Sequence, residues 1–462
     1  MKWKKPLGEL LLLGVLILAF NIRKAGSLYP PPTEWTRTYG INGNHNEARS
    51  LVQTSDGGFA VLGFTRHYVA GWVYTEDFWL VKTDPAGNAE WNRTYGVPTY
   101  DDLESGRSVV QTDDGGYALA GYAGIYGQPI YYDFWLVKTD SLGNMEWNQT
   151  YGGADIDCAY SLVQTSDGGY VMTGGTSSYG AGKTDVYLVK TDSTGNMEWN
   201  QTYGGADIDC AYSVVQAGDG EYVVAGLTDS YGAGNRDFWL IKTDAGGNTM
   251  WNQTYGGTEM DWGYSVVRTS DGGYAIAGFT ESFGAGIRDF WLVKTDSSGN
   301  MEWNQTYGGT QKEEAYSLVQ TSDGGYALVG WTNSSPTASH DFWLVKTDST
   351  GNMEWNQTYG GTGSDVARAW SVVQTVGGGY AMAGYIHFYS FGVTDFWLVK
   401  TCSGGDVNGD GVVDIFDLSI VGRAYGSFEG EPEYNPDADL NKDGIVDIGD
   451  ISMVCMNYGV GG

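Results

Sequence analysis

DFWLVKTD, residues 289–296, is the stretch that decides the fold, because close copies of it recur along the chain. The copies begin at Asp77, Asp133, Asp237 (DFWLIKTD), Asp341, Asp185 (DVYLVKTD) and Asp395 (DFWLVKTC). A second phrase, W-x-x-T-Y-G, begins at Trp35, Trp91, Trp147, Trp199, Trp251, Trp303 and Trp355, with a period of 56 residues twice and 52 thereafter. Self-similarity at such a period indicates a repeat architecture.

Each repeat is expected to form four β-strands. In the fifth repeat these strands are predicted at 264–269, Tyr274–Thr280, Asp289–Thr295 and Met301–Tyr307. Asp-Gly-Gly and Ser-Gly-Asn separate the apolar runs, and Gly and Asn accept the positive φ angles that hairpin turns need. The third strand is apolar on both faces, which is typical of a strand covered by neighbouring sheets on either side.

Four antiparallel strands at a period near fifty predict an all-β fold, a seven-bladed β-propeller over residues 34–401. The chain enters this region on a fourth-strand phrase at Trp35 and leaves it on a third-strand phrase at Asp395. We therefore expect the last blade to take its outer strand from the N-terminal side, which leaves no open edge. The third-strand, Gly and Trp pattern resembles the tryptophan-docked blades of quinoprotein-like propellers. A row of separate β-modules is the alternative.

Two twelve-residue stretches after the repeats have the spacing of calcium-binding loops: DVNGDGVVDIFD (406–417) and DLNKDGIVDIGD (439–450). Oxygen-bearing side chains stand at places one, three, five, nine and twelve, namely Asp406, Asn408, Asp410, Asp414, Asp417, Asp439, Asn441, Asp443, Asp447 and Asp450. Val412 and Ile445 would each add a backbone carbonyl at place seven. Calcium takes six to eight oxygen ligands in such a loop. The spacing therefore predicts two calcium ions, for which magnesium is a poorer fit.

Each loop is followed by a short apolar segment, 415–425 or 448–458, and the twelfth place is Asp where an ordinary EF-hand has Glu. This loop-then-helix duplication resembles the type I dockerins over residues 405–460. The resemblance implies a small α-helical module that folds only with its two calcium ions and docks to a cohesin module on a scaffold protein. Ile415-Phe416 and Ile448-Gly449 occupy places where the family often carries Ser-Thr, so the identity of the cohesin partner is left open.

Residues 1–27 resemble a secretory signal in build, with Lys2, Lys4 and Lys5 before an apolar run from Leu10 to Phe20. Small residues at 25–27 offer a cleavage site, whereas Arg23 and Lys24 favour the alternative of an uncleaved N-terminal anchor.

A net charge of −31 repels nucleic acid and anionic lipid. We expect an extracellular or cell-surface protein that touches a membrane only through this segment.

The four cysteines fall into two pairs. Cys158 and Cys210 occupy the same place in adjacent repeats, which recent duplication explains as well as a disulfide does. Dockerin ends lie close together in the family, so the resemblance implies a disulfide between Cys402 and Cys455. The four histidines form no metal-spaced cluster, and no catalytic residues are predicted.

A binding site in a repeat protein is expected where the copies differ. The connections between second and third strands vary most in blades one, two and seven, which are neighbours in a closed ring. They contribute the candidate ligand-binding residues Tyr68, Trp72, Tyr74, Tyr126, Tyr131, Tyr132, Phe388, Tyr389 and Phe391. Aromatic side chains beside the acidic connections of the same face suit carbohydrate binding. The alternative is that these aromatics pack among themselves.

Six Asn-x-Thr sequons open on the outermost strands, at Asn92, Asn148, Asn200, Asn252, Asn304 and Asn356. In an exported protein whose host glycosylates Asn, these positions would be accessible to glycosylation. Duplication of a strand motif explains the pattern equally well.

These features favour a non-enzymatic exported protein whose propeller binds an extracellular ligand, such as a polysaccharide, and whose dockerin-like tail attaches it to a scaffold. One alternative is a carbohydrate-active enzyme, an O-glycosyl hydrolase or a lyase, although near-identical blades argue against the asymmetric pocket that catalysis needs. A structural repeat protein of the cell envelope is the other alternative.

Overall fold

Twenty-eight β-strands make up most of the described part of the chain. The computed structural model describes residues 30–41, 43–70, 73–96, 102–125, 131–334, 340–360, 365–376, 378–389, 392–402, 415–427, 429, 434–435, 438–440, 445–446, 450 and 454. Within these ranges no helix combines the length and the apolar character needed to cross a membrane.

The strands follow one another at short intervals. They are β1 (Thr33–Tyr39), β2 (His45–Gln53), β3 (Phe59–Ala70), β4 (Val73–Thr83), β5 (Ala89–Tyr95), β6 (Asp102–Gln111), β7 (Tyr117–Ile125), β8 (Tyr131–Thr139), β9 (Met145–Tyr151), β10 (Asp157–Gln164), β11 (Tyr170–Thr176), β12 (Asp185–Thr191), β13 (Met197–Tyr203), β14 (Asp209–Gln216), β15 (Tyr222–Thr228), β16 (Asp237–Thr243), β17 (Thr249–Tyr255), β18 (Asp261–Arg268), β19 (Tyr274–Thr280), β20 (Asp289–Thr295), β21 (Met301–Tyr307), β22 (Glu313–Gln320), β23 (Tyr326–Thr332), β24 (Asp341–Thr347), β25 (Met353–Tyr359), β26 (Val366–Gln374), β27 (Tyr380–Phe388) and β28 (Val393–Thr401). A 3-10 turn spans Gly218–Gly220, and helix α1 spans Ile415–Ala424.

The strands group into seven antiparallel four-stranded units, the blades. Blades one to six are β2–β5, β6–β9, β10–β13, β14–β17, β18–β21 and β22–β25, and blade seven is β26–β28 with β1 as its outer strand. Strand β1 pairs with β28, which places Tyr39 opposite Phe396. The expectation that the last blade takes a strand from the N-terminal side is therefore confirmed. Single parallel bridges, His45 to Thr394 and Glu76 to Leu103, link blades seven, one and two.

Blade five shows where the sequence prediction held and where it was wrong. Its second, third and fourth strands have the expected bounds, but the first strand begins at Asp261, three residues earlier than predicted, and ends at Arg268. Pairing with β19 continues past a bulge between Gly263 and Ser265, so that Asp261 still lies opposite Thr280. The bulge interrupts the alternation of side chains, and the sequence pattern therefore hid the start of the strand.

The third strands carry the packing between blades, as their apolar sequence predicts. Phe290 of blade five contacts Trp343 of blade six, with ring centroids 4.6 Å apart. The same contact joins other neighbours through the pairs Phe78–Trp135, Phe238–Trp291 and Phe342–Trp397. Phe396 of blade seven contacts Trp79 of blade one at 4.4 Å, so the same kind of contact also closes the ring.

In six of the seven W-x-x-T-Y-G phrases the tryptophan packs against a glycine of the next blade, and these tryptophans are Trp35, Trp91, Trp147, Trp199, Trp251 and Trp303. In blade four the ring of Trp251 lies against Gly299, and the hydroxyl of Tyr255 donates to the carbonyl oxygen of Gly299 at 2.6 Å. Gly299 has a φ of +80°, and a Cβ atom placed there would lie 2.7 Å from the Trp251 ring. The position therefore requires glycine both for its backbone conformation and for space.

We expect Gly299→Ala to lower the free energy of unfolding by about 3 kcal/mol, because a left-handed conformation costs an L residue about 1–2 kcal/mol and overpacking adds roughly 1–3 kcal/mol. Gly272→Ala, in the other turn of the same blade, is the matched control. Gly272 also has a positive φ, +89°, but no atom lies within 4 Å of an added Cβ, so only the conformational cost of about 1–2 kcal/mol should appear. Urea denaturation of both variants measures the difference, and equal losses would contradict the packing role of Trp251.

Candidate functional site

One end of the ring, called here the upper face, is built from the connections between second and third strands and from those that enter each blade. In blade three, Ser178 lies in the first kind of connection and accepts a hydrogen bond at 2.9 Å from the backbone N–H of Asp155, which lies in the second kind. The hydroxyl of Tyr179 donates to the carbonyl oxygen of Gly152 at 2.6 Å. The two kinds of connection therefore meet at one surface, as the repeat pattern predicts.

A buried acidic residue holds these connections together. In blade four the carboxylate of Asp209 accepts hydrogen bonds from the backbone N–H of Gly205 at 2.8 Å and from the Ser230 hydroxyl at 2.7 Å. Asp157, Asp261 and Glu313 have the same place and the same kind of partners in blades three, five and six. These carboxylates hold the loops in place. These four acidic residues of the connections are buried and do not face a ligand, so the expectation of acidic connections beside a bound sugar is wrong for them.

The predicted aromatic residues lie in three adjacent blades of the upper face. Tyr131 and Tyr389 are exposed, and Tyr74, Tyr132 and Phe388 are half-buried. Tyr74 packs under Arg66, whose guanidinium carbon lies 4.5 Å from the ring centroid, and Tyr132 contacts Tyr122 at 5.3 Å. Trp72, Tyr126 and Phe391 lie outside the described residues, as does the side chain of Tyr68. The structure thus brings the described members to one face, and their role in binding stays a prediction.

Further exposed aromatics on this face were missed from the sequence. Tyr179, Tyr231 and Phe283 belong to the short connections of blades three, four and five and are 43–47% exposed. The expectation that a site lies where the copies differ excludes them, because their Ser-Tyr-Gly or Ser-Phe-Gly context is shared by several repeats. Together with Tyr131 and Tyr389 they form the aromatic rim, with one residue in each of blades two, three, four, five and seven.

A ring of aromatic and arginine side chains surrounds the axis of the propeller. It consists of the residue at the bulge of each first strand, namely Arg49, Arg107, Tyr160, Tyr212, Tyr264, Tyr316 and Trp370. From Tyr160 to Trp370, the centroids of neighbouring aromatic rings lie 4.0–5.2 Å apart. The guanidinium carbon of Arg49 lies 4.0 Å from the ring centroid of Trp370. These residues line a cavity of about 290 Å³. Burial raises the pKa of the Tyr160, Tyr212 and Tyr316 hydroxyls well above their usual range, so these side chains stay neutral.

The sequence held a signal for this axial ring that was not used. In each repeat the first strand contains Ala or Gly, then a variable residue, then Ser, and the variable residue changes from Arg to Tyr to Trp along the chain.

A second and larger cavity, the blade-six cavity, opens on the upper face between blades five, six and seven. It measures about 530 Å³, and its lining includes Arg288, Lys312, Glu314, Trp331, His340 and Arg368. Trp331 and His340 stack with centroids 4.2 Å apart. Burial and the Arg368 cation lower the pKa of His340, so the imidazole is neutral near pH 7. None of these residues was predicted as a site, since they come from three different repeats.

The described residues of the C-terminal region form a small separate core. Helix α1 confirms the helix predicted after the first loop, and Val421, Ala424, Leu440, Val446 and Val454 are buried together. The second loop brings its two ends close: the backbone N–H of Leu440 donates to the Asp450 carboxylate at 2.7 Å. Tyr434 donates to the neighbouring Asp439 at 2.7 Å. Buried carboxylates at both ends of one loop fit a bound cation.

Of the other predicted calcium ligands, Ile445 is described and Asp417 is described in its backbone alone. The remaining ligands, Asp406, Asn408, Asp410, Val412, Asp414, Asn441, Asp443 and Asp447, lie outside the described residues.

Cys158 and Cys210 are free thiols in the structure. Burial raises the pKa of each to about 12, which makes neither a nucleophile at neutral pH. Duplication rather than bonding therefore accounts for this pair. Cys455 lies outside the described residues, so its disulfide with Cys402 stays a prediction.

The sequon asparagines have a structural role on the outer strands. The indole N–H of Trp291 donates to the side-chain oxygen of Asn304 at 3.1 Å, and Asn92, Asn148, Asn252 and Asn356 accept the same bond in their blades. Duplication of a useful strand motif thus has a physical reason. Glycosylation of these positions and of Asn200 stays a prediction.

The ring of four-stranded units defines a β-propeller, and the helical core after it defines a second module. Residues 404–457 match the family model of the dockerin type I domain, so the chain carries a type I dockerin module after its propeller. Dockerin type I domains bind calcium and attach to cohesin modules of scaffold proteins.

Solved structures with similar backbones have low sequence identity to this chain. They include a protein of unknown function from Dyadobacter fermentans (12% identity, 80% of this chain and 98% of that chain, TM-score 0.46). Virginiamycin B lyase from Staphylococcus aureus is 9% identical (79% and 99%, TM-score 0.48), and the Pan2 WD40 domain from Neurospora crassa is 8% identical (82% and 97%, TM-score 0.49).

Among curated proteins, the regulatory protein FlaEY of Caulobacter vibrioides is 27% identical over 228 residues. The match covers 44% of this chain and 24% of that protein, so this chain spans about a quarter of its relative.

We expect a calcium chelator to unfold the dockerin module and leave the propeller folded, because Asp439 and Asp450 would then be buried carboxylates without a cation. Differential scanning calorimetry of the full chain should lose one transition on chelation, and isothermal titration should count two calcium ions.

Asp450→Asn should weaken calcium binding at least about tenfold, since a charged ligand is lost. Glu429→Gln, an exposed carboxylate outside both loops, is the control and should bind calcium normally. Unchanged affinity in Asp450→Asn would contradict this assignment.

Proposed function

We propose that this chain is exported, binds polysaccharide on the upper face of its propeller (residues 34–401) and attaches to a cohesin-bearing scaffold through residues 405–460. Two calcium ions, held by the paired loops, keep the docking module folded. The proposal places the protein outside the cell, where dockerin-bearing proteins occur.

One observation carries the choice of ligand face. Among the described residues of the ring, the exposed large aromatic side chains are Tyr131, Tyr179, Tyr231, Phe283 and Tyr389, and all five lie on the upper face. The exposed large apolar residues of the opposite end and the outer strands are aliphatic, namely Leu142, Met145, Met197, Met250, Met301, Met353 and Val376. Two exposed aliphatic residues, Ile156 and Ile287, also lie on the upper face. The upper face therefore differs from the rest of the described ring surface in carrying all of its exposed large aromatic residues.

Aromatic rings with an apolar face and, for tyrosine, a polar tip suit the alternating apolar and hydroxyl surfaces of a sugar. The rim residues are spread over several blades and not gathered in one pocket. Such a spacing favours an extended polymer, which contacts several rings at once, over a single small molecule. Each contact is then weak, and avidity along the chain supplies the affinity.

The hairpins of blades one, two and seven strengthen this assignment. Strands β3 and β4 have 12 and 11 residues, and the matching strands of blades two and seven have 9. The matching strands of blades three to six have 7. At about 3.3 Å per residue, the extra length raises the hairpin of blade one by roughly 15 Å above the face. The longer hairpins of blades one, two and seven therefore project from one side of the upper face, where they would orient a bound polymer.

Retention of the full chain on insoluble polysaccharides, with calcium present, tests the proposal. We expect retention on at least one glycan without release of reducing sugar. The triple variant Tyr131→Ala, Tyr231→Ala, Tyr389→Ala should lose about 10-fold or more in affinity, because each aromatic contact contributes roughly 0.5–1.5 kcal/mol.

The control is a triple variant on the outer strands, Met145→Ala, Met197→Ala, Met301→Ala, which also truncates three exposed apolar residues. It should bind as the parent does. Equal loss in both variants would argue against the aromatic rim, and release of reducing sugar would favour the enzyme alternative.

A further inference from the structure

The blade-six cavity has a local charge opposite to that of the whole chain. Its lining carries three cationic side chains, Arg288, Lys312 and Arg368, and one carboxylate, Glu314, in a protein whose net charge is −31. The cavity opens on the proposed ligand face, and its volume of about 530 Å³ lies within the roughly 300–1,000 Å³ typical of small-ligand sites. A cavity of this charge attracts anions that the rest of the surface repels.

Among the described residues, two of the three cations form no ion pair with a carboxylate. Arg288 is paired with Glu314 and, at 2.7 Å, with Glu281. Lys312 and Arg368, by contrast, form no ion pair with any carboxylate in the described part of the chain. The excess positive charge in this cavity therefore resides on these two side chains.

Two other cationic side chains of the upper face are paired with carboxylates. In blade three Lys183 pairs with Asp207 at 2.9 Å, and in blade four Arg236 pairs with Asp229 at 3.0 Å. The charge of each of these two cations is therefore compensated on the same face. The blade-six cavity departs from that pattern.

The uncompensated Arg368 is held in place by its neighbours. Its guanidinium lies 4.8 Å from the ring centroid of Trp331, and it donates to Nδ1 of His340 at 3.0 Å. Because Nδ1 accepts this bond, the proton of the neutral imidazole is on Nε2, which adds a donor at the cavity wall. Trp331 in turn donates to the Tyr316 hydroxyl at 3.1 Å. A side chain held in this way loses little entropy when it binds an anion.

We propose that the blade-six cavity binds an anionic saccharide unit, with its carboxylate or sulfate facing Lys312 and Arg368. The amide side chains of Gln311 and Asn333, which also line the cavity, would hydrogen-bond the sugar hydroxyls. This inference rests on the proposed polysaccharide binding and adds the chemical class of the sugar. Arginine suits both anions, because its planar fork forms two parallel hydrogen bonds to a carboxylate or a sulfate.

Isothermal titration of the full chain, with calcium present, tests this inference with three soluble probes: an oligogalacturonate, a sulfated galactan oligomer and a neutral galactan oligomer. We expect at least one acidic probe to bind about tenfold or more tightly than the neutral one. Lys312→Gln and Arg368→Gln should each weaken that binding about tenfold, because each removes a charge-assisted contact. Binding should also weaken as salt rises, since the attraction is electrostatic.

Lys183→Gln is the matched control, because it makes the same change of charge on the same face but at a lysine already paired with Asp207. It should leave affinity unchanged. Lys312 is half-buried and packs in no hydrophobic core, so Lys312→Gln should keep the thermal midpoint of the parent even if Arg368→Gln does not.

The outcomes separate the two proposals. Preference for the oligogalacturonate assigns a carboxylate, and preference for the sulfated probe assigns a sulfate. Equal binding of acidic and neutral probes, or equal losses in Lys312→Gln and Lys183→Gln, overturns this inference and leaves polysaccharide binding intact. Absence of binding to all three probes and to the insoluble glycans overturns both.

Discussion

The contact between the third strands of neighbouring blades is the interaction on which the ring depends. Each third strand is apolar on both faces, so one blade alone would expose a row of aromatic and aliphatic side chains to water. A neighbour on each side removes that surface, and only a closed ring gives every blade two neighbours. The contact of Phe396 with Trp79 and the pairing of β1 with β28 complete this arrangement. At the interface of blades three and four, Val186 replaces the phenylalanine and still packs in one cluster with Trp239.

The same packing explains why the upper face can vary. Backbone pairing and the buried third strands hold each blade in the ring. Asp157 and its counterparts in other blades fix the connections of the upper face through hydrogen bonds. Residues beyond these anchors take no part in the Phe–Trp contacts between third strands. Blades one, two and seven can therefore carry longer hairpins, and blades five to seven can enclose a cavity, without disturbing the contacts between blades. Chemical asymmetry arises in this way on a nearly symmetric scaffold.

Charge in this protein has several separate roles. Many carboxylates act inside the fold, as loop anchors or as partners of buried lysines such as Lys190, which pairs with Asp167 and Glu198 at 2.8–2.9 Å. Others belong to the dockerin loops, where Asp439 and Asp450 are buried. The strongly negative total therefore says little about what the upper face binds. The local balance of cations and carboxylates decides that, and it is positive in the blade-six cavity.

The repeat, the strand order within a blade and the borrowed outer strand were all predictable from sequence, because each depends on neighbours within about 50 residues or on the phase of the repeat. The dockerin module was predictable for the same reason, since the motif that indicates it lies within twelve consecutive residues and is repeated once. The early start of the first strand in blade five was not predictable from the sequence. A bulge there breaks the alternation of side chains between the two faces, and strand prediction depends on that alternation.

The axial ring and the blade-six cavity were decided by the tertiary structure. The axial ring joins one residue from every blade, and the cavity joins Arg288 to Arg368, which lie 80 positions apart in the sequence. Only the packing of Phe and Trp between third strands brings such residues together. The sequence by itself therefore determined the scaffold and the docking module, whereas the candidate ligand sites exist only where separate blades meet.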